Sequence, residues 1–441
     1  MQTNDWKRTT VGAAFRVVGG GTPSTAKPEF WKGNIPWITS ADIDSFHTVQ
    51  PRRWITNEAI KNSATNLVPK GSIIVVTRVG LGKVALAPED LCFSQDSQAL
   101  LLETQKIDPK FAVLQLSQRV QTFKQISRGT TINGELLLPP LDEQQRIVSE
   151  IEKQFTRLDA GVGSLKRLQI ALKRYRASVL KAACEGRLVA TEAELARKEN
   201  RSYETGEELV HRMLKERREK WNGKGKYKEP VLPRIDDLPQ LPQGWTWASL
   251  DQISSQITDG EHIQPRYTEK GYPILSAKHV RNGFVVFTDA PLIPQRDFEL
   301  CLKRCAPTRD DILVVCVGAT TGRTAIVGDA EPFALVRSVL LIRTLVNPRY
   351  LLAWLQSPDA QMWIQRASGS SAQAHFYIKD ARKMAVPLPP LPEQRRIVAE
   401  LDRRLSVIGE LDAAVNVNIE RGVRLRQSVL SNAFETGNGS P

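Results

Sequence analysis

Two glycine-rich stretches contain residue types that can hold a phosphate group. A phosphate-binding loop needs four residues between its glycines and a Lys before Ser or Thr, so that backbone N–H groups and the ammonium surround the phosphate. In GATTGRT at 318–324, three residues separate the glycines and Arg323 stands where Lys is required. GGGTP at 19–23 lacks the strand-then-helix context of a dinucleotide fingerprint. VGLGKV at 79–84, the counterpart of GATTGRT, does not match the phosphate-loop pattern either, so we interpret these two segments as strand–turn–strand.

Residues that could cleave DNA or bind a metal lack the required spacing. Nuclease sites commonly place Glu-x-Lys beside an acidic metal ligand, and no Glu in this chain is followed two positions later by Lys. No two cysteines form a Cys-x-x-Cys pair, and the histidines lack metal-ligand spacing. We expect neither catalysis nor a bound cofactor or metal. The residues inspected are His47, His211, His262, His279, His375, Cys92, Cys184, Cys301, Cys305 and Cys316.

The charge of the 441-residue chain favours a polyanionic partner. Sixty-one Lys and Arg against 48 Asp and Glu give a net charge of +13. Such an excess favours nucleic acid through counterion release, although simple solubility is the alternative. The start MQTNDWKRTT lacks a signal-peptide pattern, and no run of about 18 apolar residues occurs. We expect a cytoplasmic protein that does not cross a membrane.

A doubled segment predicts the elements that position any binding surface. LPPLDEQQRIVSE begins at Leu138 and LPPLPEQRRIVAE at Leu388, an offset of 250 with ten identities in 13 positions. The offset continues for about 45 residues without an insertion, as a long helix requires, because one extra residue would rotate its apolar stripe by about 100°. A helix over 142–184 would be about 64 Å long at 1.5 Å per residue.

Apolar residues recur every seven positions in both copies, which predicts coiled-coil packing of one copy against the other. Leu168 and Tyr175 interleave with the first stripe, while Gly422 interrupts the second and predicts looser packing there. The predicted core residues are Ile151, Leu158, Leu165, Leu172 and Val179 in the first copy, and Leu401, Ile408, Val415 and Val429 in the second.

Weaker correspondences precede each helical copy. IPWITSADI at 35–43 corresponds to YPILSAKHV at 272–280, and both contain short β-branched strands and turn residues. The predicted fold class is α+β, with two pseudo-repeated α/β domains joined by two long helices that form an intramolecular coiled coil. The predicted boundaries are 1–140 for the first domain, 141–196 for the central helical region, 197–240 for an exposed charged helix and linker, 241–390 for the second domain and 391–441 for the C-terminal helical region.

At LPPLDEQQRIVSEIE and LPPLPEQRRIVAELD, the chain resembles the specificity subunit of type I restriction-modification enzymes. The likeness continues through 19–43 and 186–221 and covers essentially the whole chain. It implies two target-recognition domains, each reading one half of a split site on double-stranded DNA. It also implies that the long helices pair antiparallel and set the distance between the half-sites. Because the two domains differ in sequence, we expect an asymmetric site.

The resemblance further implies a non-catalytic subunit that works with partners. Two modification subunits carrying S-adenosylmethionine would dock on it and methylate adenine. Two restriction subunits, where present, would cleave and translocate DNA using ATP and Mg. Residues predicted to dock the modification subunits are Glu143, Gln144, Arg146, Arg395 and Arg396, with plain solvated charge as the alternative.

Residues for DNA contact are predicted in turns that combine small and basic side chains. Polar side chains would read base edges, while Lys and Arg on phosphates would set register and affinity. Ordinary solvated loops are the alternative for each residue. The predicted residues are Thr22, Ser24, Thr25, Arg78, Lys83, Arg128, Thr130 and Thr131 in the first domain, and Asp259, His262, Lys278, Arg323, Ser370, Ser371 and Gln373 in the second.

Two other functions compete with DNA recognition. A structural adaptor would use the coiled coil to bridge proteins, with incidental basic charge and no sequence preference on DNA. A free-standing enzyme would methylate or cleave DNA without a partner. Both alternatives remain open at the level of sequence.

Overall fold

The described residues of the chain fall into two compact units. A computed structural model describes residues 6–43, 48–79, 83–120, 133–222, 226–233, 235, 238–262, 266–369 and 374–435. One unit comprises Met1–Arg167 with Val415–Pro441, and the other comprises Leu168–Ala414. We call 6–138 the first lobe and 246–388 the second lobe. Each of the two long helical regions, 141–184 and 391–435, is divided between the two units.

In its described residues, the first lobe contains nine strands in three sheets. Antiparallel strands form one sheet in the order β2-β8-β5-β6, with a mixed sheet β4-β3-β7 and a pair β1-β9. The central strand β5 is apolar and buried on both faces, since its sequence is IIVV. The strands are β1 Lys7–Thr10, β2 Phe15–Gly19, β3 Ile35–Ile38, β4 Arg53–Ile55, β5 Ile73–Val76, β6 Val84–Leu86, β7 Cys92–Phe93, β8 Ser97–Leu102 and β9 Glu135–Leu138; the helices are α1 Val11–Ala14, α2 Asn57–Lys61 and α3 Pro109–Val120.

Three helices follow the first lobe. The first is α4, Leu141–Cys184, which begins after Pro139 and Pro140 with Asp142 and Glu143 in its first turn. Acidic residues there stabilise the helix through its dipole. Two shorter helices, α5 (Glu192–Glu199) and α6 (Gly206–Glu219), each begin with a capping box in which Thr and Glu side chains bind each other's backbone N–H groups.

The second lobe repeats the sheets of the first. Its sheets have the orders β11-β17-β14-β15, β13-β12-β16 and β10-β18, and the strands match one for one. Its strands are β10 Thr246–Ser249, β11 Ser254–Asp259, β12 Tyr272–Leu275, β13 Leu292–Ile293, β14 Ile312–Val315, β15 Thr324–Ile326, β16 Ala334–Leu335, β17 Val339–Thr344 and β18 Ala385–Leu388; its helices are α7 Gln295–Arg304, α8 Pro348–Leu355, α9 Pro358–Ser368 and α10 Ile378–Lys383, and α11, Leu391–Glu435, follows.

The register of equivalent strands confirms the duplication. Lys7 lies opposite Leu138 in the first lobe, and Thr246 lies opposite Leu388 in the second. In both lobes the middle sheet contains one antiparallel and one parallel pair. The second lobe carries α9 and α10 before its last strand. The corresponding stretch of the first lobe, 121–132, lies outside the described residues.

In the first unit, α4 and α11 pair antiparallel against α3. Ile151 and Phe155 of α4 pack with Leu430 and Phe434 of α11 and with Phe111 of α3. The Arg426 guanidinium of α11 binds the Asp159 carboxylate at 2.7 Å and lies 3.9 Å from the Phe155 ring centroid. Later residues of α4 thus contact earlier residues of α11, so the two helices run antiparallel, as predicted.

In the second unit, the remaining segments of the same helices pair in the same sense. Val179 and Leu180 of α4 pack with Ile397 and Leu401 of α11. Tyr350 of α8 is fully buried beside them, and its hydroxyl donates to the Pro387 carbonyl at 2.6 Å. Each such apolar side chain contributes about 2 kcal/mol of burial free energy, so each lobe is fixed to its own helix pair.

The predicted heptad positions differ in burial. Ile151, Leu172, Val179, Leu401, Ile408 and Val415 are buried. Leu158, Leu165 and Val429 are only half-buried, and Leu430 next to Val429 is buried instead. Leu168 and Tyr175 are 44% and 48% exposed, so they do not belong to the core.

Close packing surrounds Gly422, where the sequence predicted looseness. A Cβ atom there would lie 2.6 Å from Cγ2 of Val162. The missing side chain therefore allows α11 to approach α4 closely, because there is room only for a hydrogen.

The region between the lobes is less exposed than expected. Leu209, Val210 and Met213 of α6 are buried in the core of the second lobe. Val231 and Leu232, by contrast, are exposed, as predicted for a linker. None of the described helices has both the length and the apolarity needed to cross a membrane.

Candidate nucleic-acid interface

Three loops of the first lobe meet at one edge of its four-stranded sheet. Neighbouring strands are antiparallel, so the ends of β2 and β5 and the starts of β8 and β6 lie at the same edge. Gly21 N–H donates to the Phe93 carbonyl at 2.9 Å, and Thr77 N–H donates to the Asp96 carbonyl at 2.8 Å. We call residues 20–25, 77–79, 83 and 94–96 the first loop edge.

The second lobe has an equivalent edge. Glu261 N–H donates to the Leu335 carbonyl at 2.8 Å, and Cys316 N–H donates to the Ser338 carbonyl at 2.9 Å. Glycine is required on both edges, since a Cβ at Gly20 or Gly260 would lie 2.2 Å from a carbonyl oxygen of the adjacent strand connection. We call residues 259–262, 316–323 and 336–338 the second loop edge.

The predicted residues Thr22, Ser24, Thr25 and Arg78 of the first loop edge are exposed, and Thr22 forms a side-chain hydrogen bond. The Thr22 hydroxyl donates to the Gln95 side-chain oxygen. Gln95 was missed by sequence reasoning, because only strand pairing brings it beside Thr22, 73 positions away.

Lys83 and Arg323 occupy equivalent positions and bind backbone. The Lys83 ammonium donates to the Ser40 carbonyl at 2.7 Å, and Arg323 Nη1 donates to the Val280 carbonyl at 3.3 Å. Both side chains are partly buried. Each therefore holds its turn against the neighbouring three-stranded sheet, with only part of the cation available to a ligand.

The structure brings Asp259 and His262 together and adds Arg304. His262 Nε2 lies 2.8 Å from Asp259 Oδ2, and Arg304 Nη2 lies 3.2 Å from His262 Nε2 and also binds Asp259. His262 is 52% exposed and Arg304 is 41% exposed. We call these three residues the Asp259 cluster. Sequence reasoning missed Arg304, which lies at the end of α7.

The Asp259 carboxylate holds this cluster in one arrangement. Burial alone raises the pKa of Asp259, but hydrogen bonds from Arg304 and His262 outweigh burial and lower that pKa below its ordinary value. The carboxylate therefore stays ionised at neutral pH and orients the guanidinium, whose fork of N–H donors matches phosphate oxygens and the guanine edge.

Other basic residues lie near the second loop edge. Arg337 is exposed, and its backbone N–H donates to the Glu261 carbonyl at 3.0 Å. Lys278, predicted from sequence, is exposed, and its ammonium is 3.5 Å from the Asp289 carbonyl oxygen. The predicted residues Arg128, Thr130, Thr131, Ser370, Ser371 and Gln373 lie outside the described residues.

The structure corrects the prediction that Gln144 docks a partner. Gln144 is fully buried: its Nε2 donates to the Pro139 and Lys106 carbonyls at 2.8 and 3.1 Å, and its Oε1 accepts from Asp108 N–H at 2.9 Å. The side chain links the helix start to the entrance of α3. Glu143 and Arg146 bind each other at 2.7 Å near the surface, and Arg395 is exposed.

Arg396 is committed to an internal ion pair. Its Nη1 lies 2.7 Å from Glu192 Oε2, and Arg201 Nη2 lies 2.7 Å from Glu192 Oε1. Glu393 is fully buried and accepts from Glu192 N–H at 2.7 Å and from Trp245 Nε1 at 3.0 Å. Burial raises the pKa of Glu393. We call these residues the Glu192 cluster; it fastens α5 to the start of α11.

The two loop edges both present exposed polar and basic side chains. Within the described ranges, no group of three or more His, Cys, Asp or Glu side chains is arranged to hold a metal ion. Two similar lobes, each with polar and basic side chains at one sheet edge, are the architecture expected of a duplicated binding protein. The chain belongs to the family of the type I restriction modification DNA specificity domain, whose model matches residues 3–160 and 243–421.

Relatives and solved structures agree with this assignment. The chain is 27% identical over 324 residues to the type I restriction enzyme EcoBI specificity subunit of Escherichia coli, across 71% of this chain but only 60% of that subunit. It is 22% identical over 454 residues to the EcoDI specificity subunit of Escherichia coli, across 98% and 88% of the two chains.

A solved chain, from work on complex assembly and conformational transition of the type I R-M system, shares the fold with a TM-score of 0.62 and 19% identity over 97% of each chain. The match to the family model confirms the family resemblance found in the sequence.

Proposed function

We propose that this chain is the sequence-reading subunit of a type I restriction-modification system and that each loop edge reads one half of a bipartite DNA site. The observation that carries the proposal is the pair of equivalent loop edges, which have the same strand connections but different side chains. Thr22 and Gln95 occupy the first edge, whereas the Asp259 cluster occupies the second. Different donors and acceptors on one scaffold suit two different half-sites.

The long helices are the proposed spacer. Because α4 and α11 each continue from one unit into the other, we infer that they fix the separation of the half-sites. The net charge of +13 supports attachment to the phosphate backbone.

The reaction belongs to partners in this proposal. Two modification subunits would carry S-adenosylmethionine and methylate adenine, and two restriction subunits, where present, would use ATP and Mg. Arg395 and the exposed apolar residues of α4 and α11, such as Leu168 and Tyr175, are candidates for docking the modification subunits.

Methylation profiling of host cells by long-read sequencing tests the proposal. Deleting the chain is expected to abolish one split adenine-methylated motif, and wild-type complementation is expected to restore it. An unchanged methylome after deletion, or DNA binding by the assembled complex without sequence preference, would contradict the proposal. The second outcome would favour a structural adaptor.

A paired substitution tests the second loop edge. Arg304→Ala is expected to weaken specific DNA binding by the assembled complex by about 1–3 kcal/mol, or roughly 5- to 150-fold, because it removes the oriented guanidinium. Arg309→Ala is the matched control, since Arg309 pairs with exposed Asp329 and precedes β14, whereas the second loop edge lies where that strand ends. Equal DNA affinities of the two variants would show that the Asp259 cluster does not contact DNA.

A further inference from the structure

A cleft lies on the first unit beside its two-stranded sheet. It has a volume of about 570 Å³ and lies between β1, the segment 104–107 and the start of α4. Its lining combines apolar residues such as Ala14 and Leu138 with polar ones such as Thr9, and Leu141 is 38% exposed. A cleft of this size is large enough for several side chains of another segment.

In the second unit, the equivalent position is filled by α6. The strand registers make Thr9 equivalent to Ala248 and Leu138 equivalent to Leu388. Ala248 and Leu388 are fully buried in a cluster with Leu209, Val210 and Met213 of α6.

The start of α6 also lies directly over these strands, since a Cβ at Gly206 would lie 2.3 Å from the Leu388 carbonyl oxygen. The cleft of the first unit thus lies at the position that α6 occupies in the second unit.

The seated helix shows what such a site accepts. On α6, Leu209, Val210 and Met213 form one apolar face with the i, i+1, i+4 spacing of an amphipathic helix. Beyond this face, Arg217 Nη1 donates to the Asp251 and Ser254 carbonyls at 2.7 and 3.0 Å. The site therefore takes a short helix with three apolar side chains.

The charge at the cleft of the first unit differs from the charge at the equivalent position of the second unit. Lys7 and Lys106 line the first cleft and are exposed. The strand registers make Thr246 the equivalent of Lys7. Leu345 is the equivalent of Lys106, because each lies two positions before the residue, Asp108 or Asn347, whose N–H donates to the equivalent glutamine of the next long helix. Two ammonium groups at the margin favour a helix whose polar face is acidic. A second copy of this chain would have to withdraw α6 from its own lobe to fill the cleft, which favours a different protein.

We propose that this cleft binds an acidic amphipathic helix of the modification subunit, seated as α6 is seated in the second lobe. This inference rests on the proposed function, because it names a contact within the same assembly. It adds a docking site on the first lobe to the exposed faces of the long helices.

Cysteine accessibility tests the inference in the full chain. All five native cysteines are buried, so an Ala13→Cys variant introduces an exposed thiol within the cleft. Reaction with a fluorescent maleimide is measured for the chain alone and for its complex with the modification subunit. The molecular mass of the sample is measured to verify that the complex has formed. Labelling of Ala13→Cys is expected to fall at least about tenfold in the complex. The control is Lys61→Cys, exposed on α2 of the same unit, whose labelling should change less than about twofold.

Each outcome decides between the inference and its rivals. A complex that methylates DNA while the Ala13→Cys variant still reacts freely would overturn the inference and leave the proposed function intact. Protection of the variant in the isolated chain at rising concentration would assign the cleft to a second copy and also overturn it. Failure to form any complex with the modification subunit would overturn both.

A second pair of variants removes the contact without labelling. Leu141→Glu places an acidic residue in the first turn of α4, where the helix dipole favours it, so the fold is retained. Binding of the modification subunit should weaken about tenfold, the loss expected for one buried leucine contact. Leu67→Glu is the matched control, because Leu67 is 47% exposed in the same lobe and lies outside the cleft. Equal binding by the two variants would count against the cleft.

Discussion

In the two copies of the Pro-Pro-Leu-x-Glu-Gln segment, the glutamine has the same surroundings, whereas the glutamate has different ones. Gln144 and Gln394 are both buried, and each donates to the carbonyl of a proline five positions earlier, at 2.8 and 2.9 Å. Each also accepts a backbone N–H at the entrance of the preceding helix, from Asp108 or Asn347. The glutamine therefore has the same structural role in both copies.

The neighbouring glutamate differs between the copies. Glu143 is partly exposed and pairs with Arg146, whereas Glu393 is fully buried beneath the start of α5. The difference arises because the chain after α4 folds back over the start of α11, as the Glu192 cluster shows. A repeated sequence thus fixes the local turn, while the covering segment decides whether the next side chain meets water.

The largest expected effect comes from removing the buried glutamate. Glu393→Ala should lower the free energy of unfolding by about 3 kcal/mol, since it leaves two buried N–H donors, of Glu192 and Trp245, without an acceptor. Glu143→Ala should cost less than about 0.5 kcal/mol, as expected for an exposed ion pair. Urea unfolding of both variants measures the difference in unfolding free energy. Equal losses of unfolding free energy would show that the two glutamates do not differ in their contribution to stability.

A smaller effect is expected where the two helix segments differ. Gly422 is equivalent to Leu172 by the 250-residue offset. Gly422→Leu should destabilise the first unit by about 2 kcal/mol, because the new side chain collides with Val162. Gly161→Leu is the control, since a Cβ at that position meets nothing within 4 Å. Thermal unfolding that ranks Gly161→Leu as the more harmful change would contradict the close approach.

The smallest expected effect is a pH dependence confined to the Glu192 cluster. Burial alone raises the pKa of Glu192, but hydrogen bonds from Arg396 and Arg201 outweigh burial and lower it. The unfolded state therefore takes up the proton first as the pH falls, and the stability contributed by Glu192 is lost below the ordinary pKa of 4.5.

The Glu192→Gln variant isolates this contribution. The raised pKa of Glu393 acts in the opposite sense, so the measured quantity is the difference in unfolding free energy between wild type and variant. That difference should shrink as the pH is lowered from about 6 to about 3. A constant difference across this range would show that the two arginines do not hold an ionised Glu192.

Patterns repeated along the chain were predictable, and contacts between distant residues were not. Heptad spacing identified Ile151, Leu401 and Ile408 as core, because helical periodicity alone places them on one face. The burial of Gln144 was missed, since a polar residue in the first turn of a helix ordinarily faces water.

Pairs at the loop edges had no local signal. Thr22 meets Gln95 across 73 positions, and Asp259 meets Arg304 across 45. Only the order of strands in the sheet brings such residues together, so no window of sequence contains both.

The amino-acid sequence by itself determined the duplication, the two long helices and the family, because these depend on spacing and identity along the chain. The tertiary structure alone decided which copy of each repeated surface is covered. Leu138 and Leu388 stand in the same local sequence, yet α6 buries only the second. Burial depends on what other segments pack against a residue, and that is a property of the folded chain.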